Sequence, residues 1–212
     1  EDCLVEEMIP FKNELAVIVA RNESGETRTY PVVEMEFHPT ANQVEFVICP
    51  ARIDASVAQR AREIALQVAD CFGIVGLLAV EMFQTPSNDL LVNEIAPRVH
   101  NSGHLTLEAH QTCQYQQHLR AILGLPLASC VQLRPAAMLN ILSDDSAASM
   151  VGASSGVTTI DSSTTLHWYG KQANKARRKM GHITSVADDL HSALTRAQAT
   201  LSDLTSQSPR AA

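Results

Sequence analysis

The sequence predicts an α+β fold in which an antiparallel sheet is packed by helices. Three observations carry the prediction. Short β-branched runs with period-two alternation recur along the chain, separated by turn-rich segments. Two of them, Gly76–Phe83 (GLLAVEMF) and the run from Leu90 to Ile95, flank Pro86-Ser-Asn-Asp89. Proline presets φ there, and Asn and Asp tolerate tight conformations, so the pair reads as a hairpin. Stretches with apolar residues at helical spacing stand among these runs.

In chain order, Leu4–Ile9 and Glu14–Arg21 (ELAVIVAR) read as strands joined by a Pro-Phe-Lys-Asn turn. Tyr30–Phe37 and Val44–Cys49 follow, separated by the turn-rich HPTANQ. Ser56–Phe72 is the clearest helix: Val57, Ala61, Ile64, Ala65, Val68 and Phe72 share a face, and Ser56 offers an N-cap oxygen. After the hairpin, Thr112–Leu123 is a second amphipathic helix, stopped by Gly124 and Pro126. The texture then changes. Ala136–Leu142, Leu166–Tyr169 and Met180–Ser185 read as strands, Asp144–Ser163 is rich in Ser, Ala and Gly, and Ala187–Leu204 is a terminal helix before a frayed tail. The expected organisation is a first domain over residues 1–126, a small β-containing domain over 127–186, and a terminal helix and tail over 187–212.

With 212 residues and 45% hydrophobic content, the chain can bury a substantial core. A net charge of −7 without a basic stripe argues against nucleic-acid binding. The one basic cluster, Lys171 to Lys179, is short enough to hold a single phosphate. Five scattered cysteines (Cys3, Cys49, Cys71, Cys113, Cys130) without CxxC spacing point to reduced thiols and a cytoplasmic location. No signal peptide or membrane-length apolar run is present, so no membrane partner is expected. The chain opens Glu1-Asp-Cys-Leu-Val-Glu-Glu, without an initiator methionine, and reads as a piece of a longer protein.

Chemistry concentrates in Leu90–His104, LLVNEIAPRVHNSGH, where a carboxylate, an amide, an arginine and two histidines share a strand end and a tight loop. A turn centred between Ser87 and Asn88 puts Glu94 directly opposite Glu81, with Cβ atoms about 4.5–5.5 Å apart. Carboxylates that close repel unless a cation or a shared proton intervenes. Magnesium suits them, since Mg²⁺ takes one or two carboxylates and leaves positions for phosphates and water. The alternative is an exposed hairpin face whose like charges are solvated, and a one-residue slip would turn Glu81 away altogether. His100 and His104 are four residues apart, yet HExxH is lacking and Asn101-Ser102-Gly103 does not favour helix, so zinc is disfavoured. Arg98, His100 and Asn101 suit phosphate or carbonate oxygens better.

The segments VEEMIPFKNELAVIVAR, YPVVEMEF, ICPARI, GLLAVEMF, LLVNEIAPRVHNSGH, QHLRAILGLPL, and HWYGK with RRKMGHI run in order over roughly Cys3–Thr184. In them the chain resembles the later half of the 5-(carboxyamino)imidazole ribonucleotide synthase family, ATP-grasp ligases of purine biosynthesis. The resemblance implies the later half of an ATP-grasp fold plus a small β-containing C-terminal domain. It implies ATP with Mg²⁺, or Mn²⁺ in its place, as cofactors, aminoimidazole ribonucleotide and bicarbonate as substrates, and a homodimer. By position, Glu6, Glu7, Met8 and Ile9 would form the hinge whose backbone meets adenine, and Glu14 would hold the ribose hydroxyls. Glu81 and Glu94 would ligate Mg²⁺ bridging the ATP phosphates, with Asn93 beside them. Arg98, His100 and Asn101 would bind bicarbonate and the carboxyphosphate made from it. Lys171 and Arg178 would grip the ribonucleotide phosphate, a pair that residue pattern alone reads as a solvated charge run.

The chain departs from the family in three respects. The family's first domain and most of its glycine-rich lid have no counterpart in these residues. QANKAR between Lys171 and Arg178 departs from the usual proline- and glycine-containing spacing, and Val99 stands where many members have proline. The 212 residues alone are therefore expected not to turn over. Two alternatives are a non-catalytic ATP- and magnesium-binding or dimerisation fragment, and another ATP-grasp ligase. HNSGH followed by YGK and RKMGH counts against the second.

Overall fold

A computed structural model of the chain describes residue 3 and residues 5–38, 43–143, 156–171 and 177–206. The first unit runs β1 (Asn13–Arg21), β2 (Thr27–Thr29), β3 (Val33–Phe37), β4 (Val44–Cys49), α1 (Ala55–Phe72), β5 (Gly76–Gln84) and β6 (Leu90–Ala96). A 3-10 turn (Asn101–Gly103), α2 (Thr106–Ala109) and α3 (Gln114–Ile122) follow. The chain ends with β7 (Ala136–Leu142), β8 (Gly156–Asp161), β9 (Thr164–Trp168), β10 (Lys179–Val186) and α4 (Leu190–Ser206).

The ten strands form one antiparallel sheet in the order β6-β5-β1-β3-β4-β7-β10-β9-β8, with β2 beside β1. The α+β expectation holds. Position 126/127 falls in the connection between α3 and β7, and the sheet continues across it because β4 pairs directly with β7, Val47 opposite Met138.

Strand alternation sorts the side chains onto two faces. On one, Leu15, Val17, Val19, Leu78 and Val80 pack under α1 through Val57, Ala61, Ala65 and Ala69. Farther along that face Ile48, Leu139 and Ile183 pack under α4. Ala16, Val33, Met35, Val47 and Met138 lie on the other face, against Leu105 and Ala109. Ile18, Ala20, Leu77 and Ala79 continue it under Ala121 of α3. The polar loop after β6 lies on this second face.

Several expected elements differ. Leu4–Ile9 is not a strand: the described residues 5–9 have no ladder partner, and Val5 and Met8 are 91% and 90% exposed. Pairing begins only where Lys12 N–H donates to the Gln84 carbonyl at 2.7 Å. β3 starts at Val33 rather than Tyr30, because Pro31 lacks the N–H a ladder needs. α1 has Asp54, not Ser56, at its N-cap position, without a side-chain capping hydrogen bond, and closes on Gly73 at φ 57°. α3 begins at Gln114 after Cys113, two residues later than expected. β2, the 3-10 turn, α2 and β8 are additions; β8 lies within the stretch 144–163, whose residues 144–155 lie outside the described set. So do Leu4, residues 172–176 of QANKAR, and the tail from residue 207.

Candidate active site

The hairpin does place Glu81 opposite Glu94, by a route that strand pattern alone does not reveal. Near the turn Gln84 pairs with Leu90, Phe83 with Leu91 and Met82 with Val92, one residue out of the expected register. A β-bulge then takes in Asn93, and Glu81–Glu94, Val80–Ile95 and Ala79–Ala96 pair as expected. The extra residue re-aims the strand, so consecutive side chains of Asn93 and Glu94 both line the same cavity. The turn is held by Thr85, whose N–H donates to the Asp89 carbonyl at 2.9 Å, and by Asn88 at φ 67°.

β1 adds a third carboxylate. Ala16 pairs with Glu81, so Glu14, two residues earlier on the same face, is Glu81's diagonal neighbour. Glu14 is buried, and its carboxyl is pushed up to about 7, by burial first and then by repulsion from Glu81 and Glu94. Glu81 is also raised, chiefly by burial and then by Glu94, with Lys179 and Arg98 opposing. These three carboxylates, with Asn93, His100, Asn101, Arg177 and Lys179, line a cavity of about 560 Å³.

The loop opposite is locked by Gln114 from α3. Its Oε1 accepts from His100 N–H at 2.9 Å, while its Nε2 donates to the His100 carbonyl and to His104 Nδ1, both at 2.8 Å. Gly103 permits this approach: a Cβ there would stand 2.6 Å from Gln114 Oε1 and 2.8 Å from Ile18 Cδ1. His100 Nδ1 accepts from Ser102 N–H at 3.3 Å, which leaves Nε2–H facing Glu81 Oε1 at 3.4 Å. Burial, then Arg98 and Lys179, push His100 down to about 4, so at neutral pH this is a polar contact rather than an ion pair.

Asn101 exchanges amide hydrogen bonds with Asn140 of β7, at 2.9 and 3.2 Å, and its Oδ1 also accepts from Lys179 Nζ at 2.9 Å. Asn140 was legible as the lone polar residue of the apolar run AAMLNIL, and Lys179 as the residue two beyond Arg177 at a strand start. Neither was singled out.

The other expected residues divide. Glu6, Glu7 and Ile9 line a separate cavity of about 280 Å³ with Phe83, Leu91, Val92 and Asn93, whereas Met8 points to solvent. Arg98 is exposed, its guanidinium donating to the Val99 carbonyl at 3.1 Å, and acts on the cavity through its charge. Lys171 lies over the Tyr169 ring, 4.8 Å from its centroid. Arg177 and Lys179 line the large cavity, while Arg178 between them accepts from Ser143 N–H through its carbonyl at 2.8 Å and donates its N–H to Ser143 Oγ at 3.0 Å. The rings of His100 and His104 go to different partners, Glu81 for one and Gln114 with Tyr115 for the other.

Burial also sets a pH response. His100, His104 and His110 are each held down to about 4, in every case chiefly by burial, against 6.5 in the unfolded chain. Between these values the unfolded chain binds protons that the folded one refuses, so stability is complete above pH 6.5 and lost as pH falls towards 4. Glu14 and Glu81 work the other way, losing stability as pH rises, Glu14 through about 7, but they are two carboxylates against four imidazoles, since burial holds His182 down as well. The thermal midpoint should fall steadily below pH 6.5; a flat midpoint from pH 7 to 5 would contradict the burial of these rings as neutral species.

The strand order, the acidic sheet face and the polar loop above it define an ATP-grasp protein. A family model for the ATP-grasp domain matches residues 1–115, and one for the phosphoribosylaminoimidazole carboxylase C-terminal domain matches residues 136–196. The N5-carboxyaminoimidazole ribonucleotide synthase of Bacillus subtilis (strain 168) is 44% identical over 183 residues, covering 86% of this chain and 46% of the relative. A crystal structure of an N5-carboxyaminoimidazole ribonucleotide synthetase in complex with ADP superposes with a TM-score of 0.81 at 40% identity, covering 95% of this chain and 52% of that one. The Aspergillus clavatus N5-carboxyaminoimidazole synthase in complex with ADP and 5-aminoimidazole ribonucleotide gives 0.79 at 34% identity, covering 95% and 53%. The chain belongs to the ATP-grasp family, and the relatives it matches along most of its own length are N5-carboxyaminoimidazole ribonucleotide synthases. It spans about half the length of the curated relatives it matches.

Proposed function

We propose that this chain is the later half of an ATP-dependent ligase that carboxylates 5-aminoimidazole ribonucleotide with bicarbonate. The products would be 5-(carboxyamino)imidazole ribonucleotide, ADP and phosphate, a step of de novo purine synthesis. The observation that carries the reading is one cavity with Glu14, Glu81 and Glu94 on its sheet wall and His100, Asn101 and Lys179 facing them. Such a site places an anion-stabilising side opposite a cation-binding side, which phosphoryl transfer requires.

The donor set fits Mg²⁺. Mg²⁺ is held by one or two carboxylates and otherwise by phosphate and water. Glu81 and Glu94 would hold it, and a cation between them would relieve the repulsion that, after burial, raises Glu81. When bound, Mg²⁺ or Mn²⁺ supplies charge neutralisation for the transferring phosphoryl group. Asn93 lines the same cavity as Glu14, the residue assigned to the ribose hydroxyls, and opposes the rise of its proton affinity. The smaller cavity beside Glu6, Glu7 and Ile9 suits adenine, with Met8 contributing backbone only.

Bicarbonate is a poor electrophile, so ATP phosphorylates it to a mixed anhydride, carboxyphosphate. The exocyclic amine attacks that species or carbon dioxide released from it, and phosphate leaves. His100 Nε2–H, the Asn101 amide and the Lys179 ammonium are the donors available to its oxygens, with Arg98 adding charge from the rim. Carboxyphosphate hydrolyses readily, so the site must exclude water. Lys171 and Arg178 would hold the ribonucleotide phosphate. The unpaired thiols of Cys49, Cys71, Cys113 and Cys130 suit a cytoplasmic enzyme, and among the described residues no helix is long and apolar enough to cross a membrane. A homodimer belongs to the same reading.

The test follows phosphate release from ATP in bicarbonate by the full-length protein, with and without aminoimidazole ribonucleotide. Release that rises with the ribonucleotide supports the ligase, and the 212 residues alone should show none. Release indifferent to the ribonucleotide, from folded protein that binds ATP, would mean a different acceptor.

A further inference from the structure

The sheet face that carries the cavity also carries a stack of rings, with His182 buried and His104 and His167 half-buried. His167 on β9 and His182 on β10 are directly opposite in the ladder, and their rings stack at 4.4 Å and 13°. His104 stacks on His182 in turn at 5.3 Å. The two flanking rings are anchored, His167 Nε2 by Glu108 Oε1 at 2.5 Å and His104 Nδ1 by Gln114 and Tyr115. His182 Nδ1 shares a hydrogen bond of 2.6 Å with the Tyr169 hydroxyl. Tyr169 in turn presents its ring to Lys171, whose ammonium lies 4.8 Å from the centroid and donates to the Lys179 carbonyl at 3.2 Å.

Packing alone does not account for this choice of residues. Apolar side chains would fill the face without burying polar nitrogens, and His182, 2% exposed, leaves Nε2 without a partner among the described residues. The group on which the assembly acts is a lysine, a flexible chain that loses rotamer entropy when fixed. Holding it over an aromatic face before the ligand arrives lowers that cost of binding.

We propose that Tyr169, pinned by His182 within the histidine stack, is a positioning residue that presets Lys171 and so sets affinity for the phosphate group of the ribonucleotide. The inference rests on the role of Lys171 in the proposed function. The ring holds the ammonium through its negative face, and the hydroxyl bond to His182 fixes the tilt of that ring. Tyr169→Phe keeps the face and loses the pin, whereas Tyr169→Leu loses both.

A double-mutant cycle in the full-length protein tests it. Tyr169→Leu should raise KM for aminoimidazole ribonucleotide about 2–5-fold, the range of a solvent-exposed cation–π contact, with KM for ATP unchanged. Tyr169→Phe should raise it by a smaller factor, and this variant carries the cycle should the leucine variant fold poorly. In a Lys171→Ala background, either change should add less than about twofold. Equal factors in both backgrounds, or a parallel rise in KM for ATP, would overturn the inference and leave the role of Lys171 intact. A Tyr169→Phe protein identical to wild type would overturn the pinning by His182. Should Lys171→Ala itself leave KM unchanged, the assignment of Lys171 falls and this inference with it, while ribonucleotide-stimulated phosphate release would still stand.

Discussion

Glu94→Gln is expected to lower ribonucleotide-dependent phosphate release by the full-length protein on the order of 10²–10³-fold, the range for losing one electrostatic contact to a transition state. The substitution keeps size and hydrogen-bonding capacity and removes one of two carboxylates that face each other across β5 and β6. It should also have the opposite effect on the metal-free protein. Glu14 sits at about 7 and Glu81 is raised, both through burial first and repulsion from Glu94 after it. A carboxylate whose folded value lies above its unfolded value loses stability as pH rises through the folded value. With Glu94 neutral that loss shrinks, so at pH 8 without magnesium the variant should melt higher than wild type, and at pH 5 the difference should close. Lower turnover with higher stability is the signature of a charge cluster kept for function. Unchanged turnover and magnesium dependence would instead mean that the hairpin face is merely solvated.

Lys179→Met should be nearly as damaging, with kcat falling about 10²-fold. Lys179 is half-buried, its ammonium donates to Asn101 Oδ1 at 2.9 Å, and it is the cation that most restrains the Glu81 carboxyl. Burial lowers its own proton affinity while Glu81 raises it, so the two groups hold each other's charge inside the cavity. Methionine preserves the aliphatic stem and removes only the ammonium. The pH dependence of the metal-free variant should change in the reverse sense to Glu94→Gln: Glu81, left without its counter-charge, is raised further, so stability should fall more steeply than in wild type as pH rises towards 8. A rate within a few-fold of wild type, with only the melting temperature lowered, would restrict Lys179 to supporting the Asn101 amide.

The opposite signs expected for these two substitutions follow from the arrangement of the site. Three carboxylates on adjacent strands are a cost to the fold, partly offset by one lysine on β10 and one arginine at the rim. Functional sites break local rules of stability in this manner.

The sequence by itself determined the α+β class, the hairpin, the apolar face of α1, and the loop that carries His100 and Asn101. These depend on periodicity, turn chemistry and local spacing, which act over a few residues. Only the tertiary structure decided the rest. The bulge at Asn93 corrects a register that the turn sets one residue out, and nothing in LLVNEIA marks where a ladder absorbs an extra residue. The segment before Lys12 has strand-like content, yet no described strand lies beside it to pair with. Glu14 joins Glu81 because β5 returns beside β1 after α1, and Lys179 reaches Asn101 because β7 brings β10 onto the same sheet. The histidine stack assembles from β9, β10 and the loop after β6, far apart in the chain. Burial then drives the proton affinities, since a carboxylate or an imidazole is shifted by desolvation only after the chain has closed around it.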